Sequence, residues 1–222
     1  MKYKLTYLLL LSFLLIHGLQ AQDEPKTKAF MFGLGSSHYK GDLGSSYASG
    51  QILLTLGLKL NNQKRFNSNL ILNISSLRGN ELDYLFEGST TVPATPNESF
   101  RTNYFSLHYE AQLNLIQRDR FKLYLAQGIG IIRYVPKDDD SNDLASQSNT
   151  RALGEDYRNI SIMLPTQLGF IYTLNNDYGI GIQTGFLNTL TDYLDNISTW
   201  GNREGNDNVW TTKVQLTIPI RL

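Results

Sequence analysis

The amino-acid sequence predicts an all-β protein, an eight-stranded antiparallel up-and-down β-barrel that crosses a membrane with its strands, as outer-membrane proteins do. Three observations carry that expectation. Apolar and polar residues alternate with a period of two in eight separate stretches. The connections between these stretches alternate between short and long. Beyond the N-terminal leader no apolar run reaches the length of about 20 residues that a membrane helix needs.

Taken in chain order, residues 1–21 have the layout of a secretory signal peptide. Lys2 and Lys4 supply a positive start, Leu5 to Ile16 an apolar stretch, and Ala21 a small residue at the cleavage point. Residues 22–222 then form one barrel domain. The chain has no cysteine, so it has neither disulfides nor a lipid-modified cysteine after the signal. Its 20 Lys+Arg balance 20 Asp+Glu, which removes any global pull toward nucleic acid.

The first strand is expected around residues 28–37. The second carries Ile52, Leu54, Leu56, Leu58 and Leu60 on one face, and the third Phe66, Leu70, Leu72 and Ile74. The fourth is the clearest: Phe105, Leu107, Tyr109, Ala111, Leu113 and Leu115 alternate with Ser106, His108, Glu110, Gln112 and Asn114. The fifth follows with Phe121, Leu123, Leu125, Ile129 and Ile131, and the sixth with Ile160, Ile162, Leu164, Leu168, Phe170 and Tyr172. Tyr178, Ile180, Ile182 and Phe186 mark the seventh; Trp210, Val214, Leu216, Ile218, Ile220 and Leu222 mark the eighth. Short turns at 61–65, 117–120 and 175–177 oppose long polar segments at 38–49, 78–102, 135–157 and 188–207. In an outer-membrane barrel the short turns and both termini face the periplasm and the long segments lie outside.

Alternation alone does not say which face looks inward, because a soluble lipocalin-like barrel also alternates. The polar faces are rich in Gly, Ser, Thr, Asn and Gln and carry few charges, which suits a filled lumen. Phe66, Phe121, Tyr172 and Tyr178 sit beside short turns with the parity of the apolar face, as an interfacial aromatic girdle does. The apolar face is therefore expected to meet lipid. Side chains fill the interior of an eight-stranded barrel, so Lys59, Glu110, Lys122 and Lys213 are expected as paired lumenal charges and not as a solute path. Gly33, Gly35, Gly128, Gly130, Gly179, Gly181 and Gly185 share the lumenal parity and make room for bulky neighbours.

Few residues invite a chemical reading. Ser106, His108 and Glu110 share one strand face, but residues two apart on a strand lie about 6 to 7 Å apart, too far for a nucleophile, base and acid in register. The acidic segment Asp138, Asp139, Asp140, Ser141, Asn142, Asp143 lacks the glycine and closing glutamate of an EF-hand and reads as a solvated loop. Asn97 and Asn196 each begin an N-x-S triplet, a weak surface signal. No metal site or cofactor is expected.

Two segments go beyond periodicity: GLGSSHYKGDLG at 33–44 and LTDYLDNIST at 190–199. With the leader and the eight-strand plan they resemble a Bacteroidota-type family of mostly uncharacterised outer-membrane barrels that includes the type IX secretion component PorG. The motif residues are Tyr39, Gly41 and Asp42 in the first segment and Thr191, Asp192, Tyr193 and Asp195 in the second. The resemblance implies an architectural role in a secretion assembly and brings no catalytic residue.

The expected function is thus a non-enzymatic outer-membrane barrel that anchors or organises protein secretion. A surface structural or adhesin-like barrel acting through its long loops is the alternative, and a lipid-modifying enzyme the third reading. Besides outer-membrane lipid, the expected partner is a periplasmic secretion-ring protein. Lys64, Arg65, Arg118 and Arg120 form a basic rim at the short-turn end that would attract its acidic face.

Overall fold

The computed structural model describes residues 28–44, 47–61, 65–80, 99–147, 158–198 and 206–220; the leader, Lys64, Asn97 and Leu222 lie outside them. Nine strands run in chain order: β1 (Ala29–Lys40), β2 (Gly50–Lys59), β3 (Phe66–Asn80), β4 (Ser99–Gln117), β5 (Phe121–Lys137), β6 (Ile160–Met163), β7 (Thr166–Thr173), β8 (Gly179–Phe186) and β9 (Asn208–Pro219). Every pairing is antiparallel. Neighbours in sequence are neighbours in space, and β1 pairs with β9 to close the cylinder.

The barrel has eight staves, because β6 and β7 are two parts of one. Both pair with β5 in a single register, Gly130 opposite Met163 and Gln127 opposite Thr166. Pro165 has no N–H to give the ladder, yet its carbonyl still accepts from Gly128 N at 2.8 Å. The eight-stranded closed barrel predicted from period and loop lengths is the observed fold.

The facing also agrees with the sequence. Leu56 is 39% exposed while its neighbour Thr55 is 3% exposed, and the same contrast separates Leu107 from His108 and Ile182 from Gln183. Phe32, Ile129 and Val214 continue the apolar belt around the outside. A soluble lipocalin-like barrel would have these faces reversed. Closure leaves no strand edge, so the backbone polar groups of the wall are paired within it, as an apolar solvent requires.

Three strands run farther than the apolar alternation indicated. Residues 78–80 and 99–102, expected in a loop, pair as ladder between β3 and β4, and β5 continues to Lys137. Beyond the apolar belt the outward positions turn polar, as Ser76, Arg78, Asn103 and Arg101 do, so the period-two signal ends while the strands do not. The inward side meanwhile becomes apolar there: Leu77, Phe100, Tyr104, Ile132 and Tyr134 are buried.

The lumen has two regions. Toward the short turns it is mostly polar, with Asn69, Asn73, Gln112, Gln183 and Gln215 buried. Here Tyr124 reaches across to take a hydrogen bond from Gln215 Nε2 at 2.9 Å. A Cβ on Gly169 would stand 2.2 Å from the Tyr124 ring, so the absence of a side chain there lets the ring lie flat in the lumen. Toward the long loops the lumen is apolar, and the chain after β8 folds back to seal it with Leu187, Leu194 and Ile197.

Candidate functional site

The two sequence motifs, far apart in the chain, meet at this sealed end, where Tyr39 and Asp195 are 156 residues apart in sequence. Tyr39 continues the inward parity of β1 and is buried, its ring edge-on to Phe100 with centroids 4.8 Å apart. Its hydroxyl lies 2.7 Å from Asp195 Oδ2 and 2.8 Å from Asp207 Oδ1. Asp195 also accepts from Leu43 N at 3.2 Å and Ile197 N at 2.9 Å, and Asp207 from Leu194 N at 2.7 Å. Tyr39 thereby ties the end of β1 to Asp195 in the returning segment and to Asp207 just before β9.

The rest of the motif supports this lock. A Cβ on Gly41 would fall 1.9 Å from Asp207 Oδ1 and 2.0 Å from the Tyr39 hydroxyl, so only glycine lets the chain turn so close. Asp42 is buried beside them, and its charge acts on Asp207. The Thr191 hydroxyl is 3.0 Å from that of Tyr134, and Thr191 O accepts from Asp207 N at 3.0 Å. Asp192, half-buried, adds a further negative charge near Asp207. Tyr193 packs against the apolar cluster and takes a hydrogen bond from Ser198 Oγ at 2.9 Å.

A tyrosine hydroxyl has one proton, so it cannot donate to both carboxylates at once. The second carboxyl is best accommodated in its neutral form, as a donor to the tyrosine oxygen. The electrostatics agree. Burial raises Asp195 to about 6. Burial, followed by the charge of Asp195, pushes Asp207 well above the ordinary carboxylate range. Like charges this close in an apolar setting hold one proton between them.

Sequence reasoning missed Asp207. Its signal was present: counting back from β9 in steps of two, Gln215, Lys213, Thr211 and Val209 all face inward, and the next position is Asp207. Asn196, expected as a surface residue, is buried, and its side chain donates to Gln147 O at 3.2 Å.

The lumenal charges differ from the expected pairs. Lys59, Glu110 and Lys213 do point inward and are buried. Among the described residues, however, no ion pair within 4.0 Å joins either lysine to Glu110; the charged contact there is His108 Nε2 to Glu110 Oε2 at 3.8 Å. The register explains the difference, because Asn69 stands between Lys59 and Glu110 in the same row of the sheet. Glu110 accepts from Asn69 Nδ2 at 3.1 Å and from Gln183 Nε2 at 3.2 Å instead. Ser106 is engaged with Asn73, whose Nδ2 donates to it at 3.3 Å. Ser106, His108 and Glu110 are therefore not assembled as a relay.

In the acidic segment, Asp138 accepts from Asn142 N at 2.8 Å and Asn142 Nδ2 at 3.0 Å. Asp139 accepts from Ser99, and Asp143 caps a short 3-10 turn by accepting from Ala145 N at 2.8 Å. These oxygens serve the loop itself and the start of β4. At the short-turn end Arg65, Arg118 and Arg120 are exposed. Arg65 and Arg118 line an open cavity of about 710 Å³ together with Asp119 and Lys122.

No protein-family model and no curated protein sequence matches the chain. Solved structures do match in fold. Neisserial surface protein A (NspA) aligns with a TM-score of 0.52 and 10% identity, over 86% of this chain and 96% of that one. Ail, the attachment invasion locus protein of Yersinia pestis, aligns at 0.50 and 11% identity, over 89% of this chain and all of that one. At such identities the likeness establishes the architecture: this is an eight-stranded barrel of the outer-membrane type.

Proposed function

We propose that the protein is a non-enzymatic barrel of the outer membrane that serves as an architectural component of a protein-secretion assembly of the type IX class. In this reading the signal peptide is removed, the short turns and both termini face the periplasm, and the long loops lie outside. The observation that carries it is the Tyr39–Asp195–Asp207 lock. The residues that resemble a secretion-associated family converge on a device that closes the barrel and fixes its outer loop, and they form no open cleft for a substrate.

Attachment would run through the opposite end, where Arg65, Arg118 and Arg120 are exposed and Lys64 adjoins them in sequence. Such a rim steers an acidic partner through long-range attraction that salt weakens. The test is deletion of the gene followed by analysis of the culture supernatant. Loss of many secreted proteins, restored by the wild-type chain and not by one with Lys64, Arg65, Arg118 and Arg120 all changed to Glu, supports the reading. Normal secretion by the deletion strain overturns it in favour of a surface barrel acting through its loops. Altered lipid A in that strain would point to an enzyme.

A further inference from the structure

The strands that outrun the apolar belt present cations to each other across the sheet. Arg78 of β3 is directly opposite Arg101 of β4, and Arg101 is directly opposite Lys137 of β5. All three have outward parity; Arg78 and Arg101 are exposed and Lys137 half-exposed. Exposed Arg133 lies on the same face of β5, opposite Phe105 and Ile160, at the edge of the apolar belt. Exposed Arg158 precedes β6 on the same side.

Like charges directly opposite on a sheet destabilise it, so such a row needs a compensating anion. Among the described residues the neighbouring acids are otherwise engaged: Asp138 with Asn142, Asp139 with Ser99 and Asp143 with Ala145 N, leaving Asp140 exposed. Among the described residues none of the five cations makes an ion pair. Height also matters. Arg101 lies four residues beyond Phe105, which for a strand tilted by about 45° is roughly 10 Å above the apolar edge. Arg133 sits at that edge, and long cationic side chains reach along the surface to a headgroup layer.

We infer that Arg78, Arg101, Lys137 and Arg133 form a binding site for the phosphates of a lipid headgroup in the leaflet that surrounds the loop end. Guanidinium groups hold phosphate oxygens in paired, charge-assisted hydrogen bonds. The acyl chains of the same lipid would lie on Ile74, Phe105 and Ile131 directly below. The inference rests on the belt meeting lipid and is independent of the secretion role.

The full-length protein in detergent micelles, where both ends are accessible, is titrated with fluorescent lipid A, a disaccharide lipid with two phosphates. Arg101→Gln with Lys137→Gln is expected to weaken binding about tenfold per cation removed. Lipid A stripped of phosphate should bind wild type at least as weakly as the intact lipid binds the variant, which keeps Arg78 and Arg133. The control Arg65→Gln with Arg118→Gln should leave affinity unchanged, and heat-modifiable gel migration verifies that each barrel is folded. Equal affinity in wild type and a folded Arg101→Gln, Lys137→Gln variant, equal binding of the dephosphorylated lipid, or an equal loss in the control would overturn the site. Full competition by equimolar inorganic phosphate would reduce it to a free-anion site and overturn the lipid assignment. A lipid result of either sign leaves the secretion phenotype to be judged on its own.

Discussion

At the loop end the lumen is filled by Tyr39, Leu77, Phe100, Ile132 and the returning chain at 187–198, whereas toward the short turns it is filled by Asn69, Asn73, Gln112, Gln183 and Gln215. The first region has a long connection at hand and uses its residues 187–198 to bury apolar side chains, so its stability follows area removed from water. The second has only tight turns beside it, and its wall residues must fill the lumen themselves with amides that satisfy one another. Acids lie on opposite sides of this division too. Asp195 and Asp207 meet at one tyrosine hydroxyl at the apolar end, while Glu110 is surrounded by amide donors and, farther off, lysines.

If the division is correct, truncation costs most at the apolar end. Leu194→Ala removes a fully buried side chain from the cap and is expected to destabilise it by about 2 to 5 kcal/mol. Hydrogen exchange of residues 187–198 should accelerate while that of β4 and β5 holds. Uniform acceleration would mean that the cap and wall form one cooperative unit. Tyr39→Phe keeps the ring and deletes the shared hydroxyl, leaving one buried carboxylate short of a donor and the neutral carboxyl short of an acceptor; a loss of about 1 to 3 kcal/mol is expected in the same exchange experiment.

The lock should also respond to pH. A group whose pKa is raised by folding contributes stability that is complete below its unfolded value, near 4, and is lost as pH rises through the folded value. For Asp195 that window runs from about 4 to about 6, and for Asp207 it extends higher. Cap opening, corrected for intrinsic exchange rates, should therefore increase from pH 4.5 to pH 8. Asp207→Asn removes one of the competing charges and should flatten the profile; an unchanged profile would place the titration elsewhere. In the polar region Asn69→Ala deletes a donor to Glu110 and Gln112 and is expected to cost about 1 kcal/mol without altering exchange in the cap.

The barrel was legible because lipid outside and side chains inside impose a period of two over the whole belt, and the turn lengths impose the order. That signal weakens where its physical cause does: above the belt, outward side chains such as Arg78 and Arg101 leave the hydrocarbon for a polar layer, so strand residues there looked like loop. The lock was half legible. Tyr39 and Asp195 stood out only through the family resemblance, although the parity of β1 and β9 points Tyr39 and Asp207 at the same place. What no local pattern carried is the return of residues 187–198 into the barrel mouth, since Leu187, Leu194 and Ile197 are scattered in a polar stretch and become a core only together with strand residues such as Tyr39, Leu77, Phe100, Ile132 and Val209. The lumenal lysines were assigned to the right face but the wrong partners, because Asn69 intervenes on a strand far away in sequence.

The chain contains no cysteine, which makes a single-cysteine scan along β4 the most direct measurement. Each residue from Arg101 to Leu115 is replaced in turn by Cys, spin-labelled in lipid bilayers, and its collisions with oxygen and with a water-soluble nickel complex are compared. Oxygen maxima are expected at Phe105, Leu107, Tyr109, Leu113 and Leu115, low collision rates with both reagents at Ser106, His108, Glu110 and Gln112, and nickel access at Arg101. Nickel access at Leu107 and Tyr109 equal to that at Arg101 would contradict a lipid-facing belt on a filled barrel.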